Sequence, residues 1–376
     1  MIDLTAQLLT NFVSTCDLFS DSVMMIQSGG GNGSTKFELE GEQRMWIKAS
    51  GYLMSDVTID KGYATVSLEG VRNILKDLSH GQLNIDDSEK IQQRMTEATL
   101  SEARPSIETF LHALLPQRYV LHVHSLVALL YASSSAFIED LNHPSNDLNS
   151  VLLVPYEKPG VNLAMEMKRC LERYAELQQT KGHHAFPKAI VLQNHGLIVA
   201  SEHVQDLERL VYNCEDQIKV RMGLASTFDK AYRTQLNIKH VLREVFADRR
   251  LFVRLCEDKD LQNYQPNGFS FPDAVVFFGV ETIMLKTSSN SSVLELLKTH
   301  LTAYKTKHMD YPRLIVFDEA LYFVGESIKK CMELQDVLKI QKTIDDTLAH
   351  KRVVLTEAQS FALLNWEAEK FRKNLG

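Results

Sequence analysis

From Leu4 to Phe19 the apolar positions recur at helical spacing, and this stretch reads as an amphipathic helix. The glycine-rich segment Ser28-Gly-Gly-Gly-Asn-Gly-Ser34 follows as a turn signal. Beyond it the pattern shortens to period two. Thr35 to Leu39 and Arg44 to Ala49 predict two strands joined through Glu40-Gly41-Glu42, with further strand character at Tyr63 to Ser67. Pro105 and Ser106 open a short predicted helix, in which Ile107, Phe110, Leu111 and Leu114 keep helical spacing until Pro116. That helix puts Glu108 and His112 one turn apart. Arg118 to His124 then predicts a strand, Ser125 to Ile138 a helix, and Asn142 to Asn149 a loop. Val151 to Pro155 reads as a strand and Asn162 to Thr180 as a helix. Lys188 to Ala200 reads as one long apolar strand interrupted at Asn194-His195-Gly196, and a helix from Asp206 to Ala225 closes the unit. Past Phe228 the texture changes to basic helical turns through Arg250. Strands are predicted there at Ala274 to Val280, Thr282 to Lys286 and Arg313 to Val324, and helices at Glu326 to Leu348 and Thr356 to Lys373. The change of texture divides the chain into residues 1–227 and 228–376.

Composition narrows the function classes. A chain of 376 residues affords a sizeable core. A net charge of -7 gives no overall field to attract nucleic acid or an anionic membrane, so a small-molecule partner is favoured. Cys16, Cys170, Cys214, Cys256 and Cys331 are odd in number, scattered and free of CxxC pairs, a pattern that fits a reducing cytoplasm. The N-terminus lacks the basic residues of a signal peptide ahead of its apolar positions. The most apolar stretch, Tyr119 to Ile138, carries His122, His124 and a run of serines, which argues against a membrane span.

The candidate chemistry lies in histidines and one carboxylate. His122 and His124 flank a single valine, so in a strand both imidazoles leave the same face, as two ligands of one metal require. An HxH among thirteen histidines is weak alone. Its place at a strand-to-helix junction strengthens it, because such junctions open into crevices. His195 stands in the apolar run Val191-Leu-Gln-Asn-His-Gly-Leu-Ile-Val199, where it is either a core histidine bonded to a carbonyl or a side chain re-aimed by a bulge at Gly196. Glu108 and His112 are equally open, as a helix-terminus glutamate and a packed or ion-paired histidine.

Arg104-Pro-Ser-Ile-Glu-Thr-Phe-Leu-His112, then His122-Val-His124 and Leu192-Gln-Asn-His-Gly-Leu197, resemble the signature of the class II aldolase/adducin family. Gly29-Gly-Gly-Asn-Gly-Ser-Thr-Lys36 and Met45-Trp-Ile-Lys-Ala-Ser-Gly51 resemble its two phosphate-contacting turns. Pro155-Tyr-Glu-Lys-Pro-Gly160, with Leu355-Thr-Glu-Ala-Gln-Ser-Phe361 and Trp366-Glu-Ala-Glu369, is similar to one branch of that family. In that branch a rhamnulose-1-phosphate aldolase is joined to a short-chain dehydrogenase, although no GxGxxG follows a strand in this sequence. The resemblance implies a three-layer α/β/α domain with a largely antiparallel central sheet, plus a smaller C-terminal α/β unit. It also implies a divalent metal, zinc foremost, held by His122, His124 and His195, with Glu108 as acid/base. Gly31, Asn32, Ser50, Gly51 and Ser106 would contact the phosphate of a small phosphorylated sugar. Expected with these are cleavage of a ketose 1-phosphate and a homo-oligomer, a tetramer by the same resemblance. A sugar-phosphate epimerase or dehydratase on the same metal site, and a non-catalytic adducin-like interaction module, remain open. The aldehyde-protonating tyrosine that members borrow from a neighbouring subunit has two nearby candidates, Tyr131 and Tyr156.

Overall fold

The structure is a computed structural model that describes residues 2–143, 148, 150–180, 186–279, 281–287 and 292–364. The chain forms two compact units, Met1–Phe228 and Asp229–Gly376. The Trp366 motif and the end of the last predicted helix lie outside the described residues, as does much of the predicted loop at 142–149.

The first unit holds seven strands, β1 (Asn32–Leu39), β2 (Glu42–Lys48), β3 (Tyr63–Ser67), β4 (Tyr119–Val123), β5 (Val151–Val154), β6 (Ala189–Leu192) and β7 (Gly196–Ser201). They form one sheet in the order β3-β2-β1-β4-β7-β6-β5. Every pairing is antiparallel except β5 with β6. The helices are α1 (Ile2–Asp17), α2 (Leu68–Ser79), α3 (Ser88–Glu97), α4 (Thr109–Leu114), α5 (Leu126–Ala132), α6 (Ser135–Asn142), α7 (Val161–Thr180) and α8 (Asp206–Met222). Met45, Ile47, Val120, Ile190, Leu192 and Ile198 of the sheet share one apolar core with Val71, Ile74, Leu111, Leu163 and Met167 of α2, α4 and α7. Residues of opposite phase face the other layer, where α1 meets β1 and α8 meets β6 and β7.

Local chemistry explains where the elements depart from the periodicity. Glu40 and Gly41 both take positive φ, 56° and 81°, giving the two-residue turn that suits a right-twisted hairpin. The long apolar run at 188–200 is not one strand. It folds back as β6 and β7, with Leu192 opposite Gly196, and Asn194 supplies the left-handed residue at φ 53°. His195 is thereby put at a hairpin tip. The helix predicted from Ser125 to Ile138 breaks in two because Ser134 caps a new start, its hydroxyl accepting from the N–H of Phe137. Helices α2 and α3 have no counterpart in the periodicity reading.

The second unit pairs β8 (Phe252–Leu255), β9 (Ile283–Leu285), β10 (Leu314–Phe317) and β11 (Ala320–Gly325) in the order β8-β11-β10-β9. Its helices are α9 (Lys230–Val245), α10 (Pro272–Phe278), α11 (Val293–His308), α12 (Ile328–Leu348) and α13 (Glu357–Leu364). One face packs on Ile238, Leu242, Leu297 and Leu301 of α9 and α11, the other on Val275, Phe278, Leu334 and Leu338 of α10 and α12. The strand predicted at 274–280 is α10, since an unbroken apolar run carries no period and Pro272 opens a first helical turn. Among the described residues no helix is long and apolar enough to cross a membrane.

Candidate functional site

His122 belongs to β4, the middle strand of the sheet, opposite Asn32 of β1 and Ile198 of β7. His124 follows the end of β4, and His195 arrives from the β6–β7 tip. The three rings converge, with centroids 5.0 Å apart for His122 and His124, 4.9 Å for His122 and His195, and 5.3 Å for His124 and His195. Each offers a nitrogen within 4.8 Å of the others. Glycines make this approach possible. A Cβ on Gly196 would sit 2.5 Å from the Val123 carbonyl and 3.1 Å from His122 Nε2, and one on Gly30 would meet His124 Nδ1 at 2.6 Å.

Glu108 spans the cluster. His122 Nδ1 lies 2.8 Å from its Oε2 and His195 Nε2 lies 2.9 Å from its Oε1. Burial alone would push the Glu108 carboxyl pKa up, but the His122 and His195 imidazoles prevail and hold it well below the ordinary value. Glu108 is the N-cap of α4 without a side-chain capping bond. The helix starts at Thr109 rather than Pro105, because Pro105 is held in an antiparallel bridge with Ala49.

The donor set fits a divalent cation. His122 is fully buried and its Nε2 has no partner, an unmet requirement that a metal ion satisfies. His124 is pushed down to about 3, by burial first and then by the charges of its two neighbours, so it stays neutral and able to ligate.

The predicted phosphate residues lie on three segments that the backbone brings together. Ser50 N–H donates to the Arg104 carbonyl at 2.8 Å, which joins the Ser50-Gly51 turn to the segment carrying Ser106. Gly31 has φ +73°, and its Cβ would come 3.0 Å from the His122 carbonyl. Ser106 precedes the helix instead of opening it. Its hydroxyl accepts from Glu108 N–H at 3.3 Å, just ahead of α4. Asn32 donates from Nδ2 to Glu108 Oε2, while its Oδ1 is buried without a partner. Lys48, which periodicity did not single out, is buried, and its ammonium donates to the carbonyls of Tyr52 at 2.8 Å and Gly29 at 3.3 Å. It clamps the two glycine turns together. A lysine ending the otherwise apolar run Met45-Trp-Ile is the signal that marks it. Of the tyrosines, Tyr131 is fully buried with its hydroxyl on Asp140 at 2.7 Å. Tyr156 is 59% exposed, on a loop whose N–H donates to Gln193 beside the His195 tip.

These buried histidines make stability acid-sensitive. His112 and His124 are both lowered to about 3 from an ordinary 6.5, so between those values the unfolded chain binds more protons and stability falls as pH falls. Glu108, also depressed, adds loss in the same direction below its ordinary 4.5. Each group contributes up to about 1.4 kcal/mol per pH unit in its window. Urea unfolding of metal-free protein should show a lower midpoint at pH 5 than at pH 7. An unchanged or higher midpoint at pH 5 contradicts this.

Residues 11–222 match the family described as Class II Aldolase and Adducin N-terminal domain. An uncharacterized oxidoreductase of Bacillus subtilis, YuxG, is 26% identical over 258 residues, which cover 62% of this chain and 34% of that protein. The chain thus spans about a third of the length of that relative. Among solved structures, the N-terminal class II aldolase domain of a conserved Thermoplasma acidophilum protein is 22% identical, with a TM-score of 0.45, covering 57% of this chain and 93% of that one. The l-fuculose-1-phosphate aldolase of Thermus thermophilus is 16% identical, with a TM-score of 0.36, covering 58% of this chain and 95% of that one.

Proposed function

The chain belongs to the class II aldolase/adducin family, and from that premise we propose that it is a metal-dependent lyase cleaving a ketose 1-phosphate to dihydroxyacetone phosphate and a short aldehyde. The observation that carries this reading is the buried Glu108 carboxylate, braced between two imidazoles of a three-histidine cluster. The two imidazoles orient the carboxylate and keep it ionised, the form in which it can take up a proton.

His122, His124 and His195 would hold the cation, zinc being the ion that best suits three neutral imidazoles. Bound there, it supplies the positive charge that offsets negative charge developing on substrate oxygens. Glu108 protonates the enediolate carbon after the carbon–carbon bond breaks, and removes that proton in condensation. The turns at Gly31, Ser50-Gly51 and Ser106 present backbone N–H groups and a hydroxyl to the phosphate, and the buried Lys48 charge favours an anion beside them. Of the two tyrosines, exposure supports Tyr156 as the group available to a leaving aldehyde. The resemblance at Pro155 to Gly160 supports rhamnulose 1-phosphate as the first substrate to try. We further propose a cytoplasmic homotetramer whose subunit boundary completes each pocket.

The test is exchange of the dihydroxyacetone phosphate carbon-bound proton with solvent, followed by NMR on metal-loaded protein. It reports proton transfer without knowledge of the aldehyde. Exchange, together with release of dihydroxyacetone phosphate from a ketose 1-phosphate, is expected. Metal-loaded protein that catalyses no exchange overturns the aldolase reading in favour of epimerase, dehydratase or binding roles.

A further inference from the structure

Strand β1 carries a polar stripe through the core. Asn32, Ser34 and Lys36 stand at alternate positions, hence on one face, and are 5%, 0% and 6% exposed. Buried polar side chains are costly unless paired. Each meets the segment around α4: Asn32 Nδ2 donates to Glu108 Oε2, Ser34 Oγ lies 2.7 Å from His112 Nδ1, and Lys36 Nζ donates to the Gln117 carbonyl at 2.8 Å.

The middle rung has no task at the site, yet it is the most deeply buried. Ser34 and His112 are both fully buried. His112 Nε2 has no partner, so a residue chosen only to fill this volume would be better apolar. Its retained value is the bond made by Nδ1. That bond is insensitive to pH in the working range, because burial, followed by the charges of His122 and Lys36, takes His112 down to about 3. The N–H groups of Leu111 and His112 donate to the Glu108 carbonyl at 3.0 and 3.4 Å. Fixing His112 to β1 therefore fixes the turn of backbone from which the Glu108 side chain departs.

We propose that the Ser34–His112 pair is a positioning device for the Glu108 carboxylate, holding its backbone turn at a set distance from β1 and so from the histidine cluster. This rests on the proton-transfer role proposed for Glu108. A displacement near 1 Å at a reacting group can cost about a hundredfold in rate, so a bond remote from substrate can still govern turnover.

The experiment compares zinc-loaded wild type with Ser34→Ala, His112→Phe and His112→Asn. His112→Asn keeps a hydrogen-bonding atom close to the place of Nδ1, whereas Phe does not. Four readouts are taken: proton exchange at saturating dihydroxyacetone phosphate, the dissociation constant of inorganic phosphate, metal content and thermal unfolding. Ser34→Ala and His112→Phe should slow exchange by about tenfold to a hundredfold, with phosphate affinity and metal content held. His112→Asn should recover most of the rate. Folded, metal-loaded Ser34→Ala and His112→Phe proteins with undiminished exchange overturn the proposal, as does a rate that falls only in step with lost metal. If His112→Phe fails to fold, the milder Ser34→Ala decides by the same criteria. Wild type without exchange sinks the lyase reading and this proposal together, whereas wild-type exchange with unaffected variants sinks this proposal alone.

Discussion

Replacing Glu108 by glutamine is expected to cut proton exchange on dihydroxyacetone phosphate by about a hundredfold to ten-thousandfold, the usual contribution of a positioned acid/base. The substitution keeps the side chain's shape in a site where Glu108 is 6% exposed, and it retains one oxygen as acceptor for its neighbours. What it removes is the basic oxygen and the negative charge between His122 and His195. Folding and metal content should survive, and the metal assay separates loss of chemistry from loss of the site. Exchange unchanged in Glu108→Gln would spare the lyase and remove Glu108 as its base.

The second large effect is on the metal. Purified protein should carry about one divalent ion per chain, and His122→Ala or His195→Ala should strip it, because a two-imidazole site leaves the ion largely to water. Loss of an outer-shell partner already costs about tenfold to a hundredfold in affinity, so loss of a ligand should exceed that. His203→Ala is the control, an exposed histidine just past β7. Elemental analysis after dialysis decides: stoichiometric metal in both ligand variants would end the three-histidine assignment.

Much of the site was legible from spacing and motif because its residues carry unusual chemistry into apolar surroundings. His122 and His124 on one strand face, and His195 inside a run of valines and leucines, are conspicuous in a sequence, and the structure brings the three rings together. What periodicity missed was set by tertiary contacts. The run at 188–200 reads as one strand because nothing in its apolar pattern reports that Asn194 turns the chain back. The start of α4 reads three residues or so early because the Ala49–Pro105 bridge is a long-range contact. The apolar run at 274–280 gives no period from which to tell helix from strand. The bond from Asn32 to Glu108 is likewise invisible in the glycine-rich motif, because it depends on the β1–β4 register.

The β4–β7 pairing has a kinetic consequence. His122 and His195 become neighbours only once β4 has closed on β7 in the register that sets Val123 against Leu197. Closing so distant a contact costs chain entropy before any ligand can return it. A slip of one residue would turn His122 to the opposite layer. No nascent hairpin therefore holds all three imidazoles, so an ion bound by them would raise the barrier that leads out of the native state and leave the climb into it unassisted.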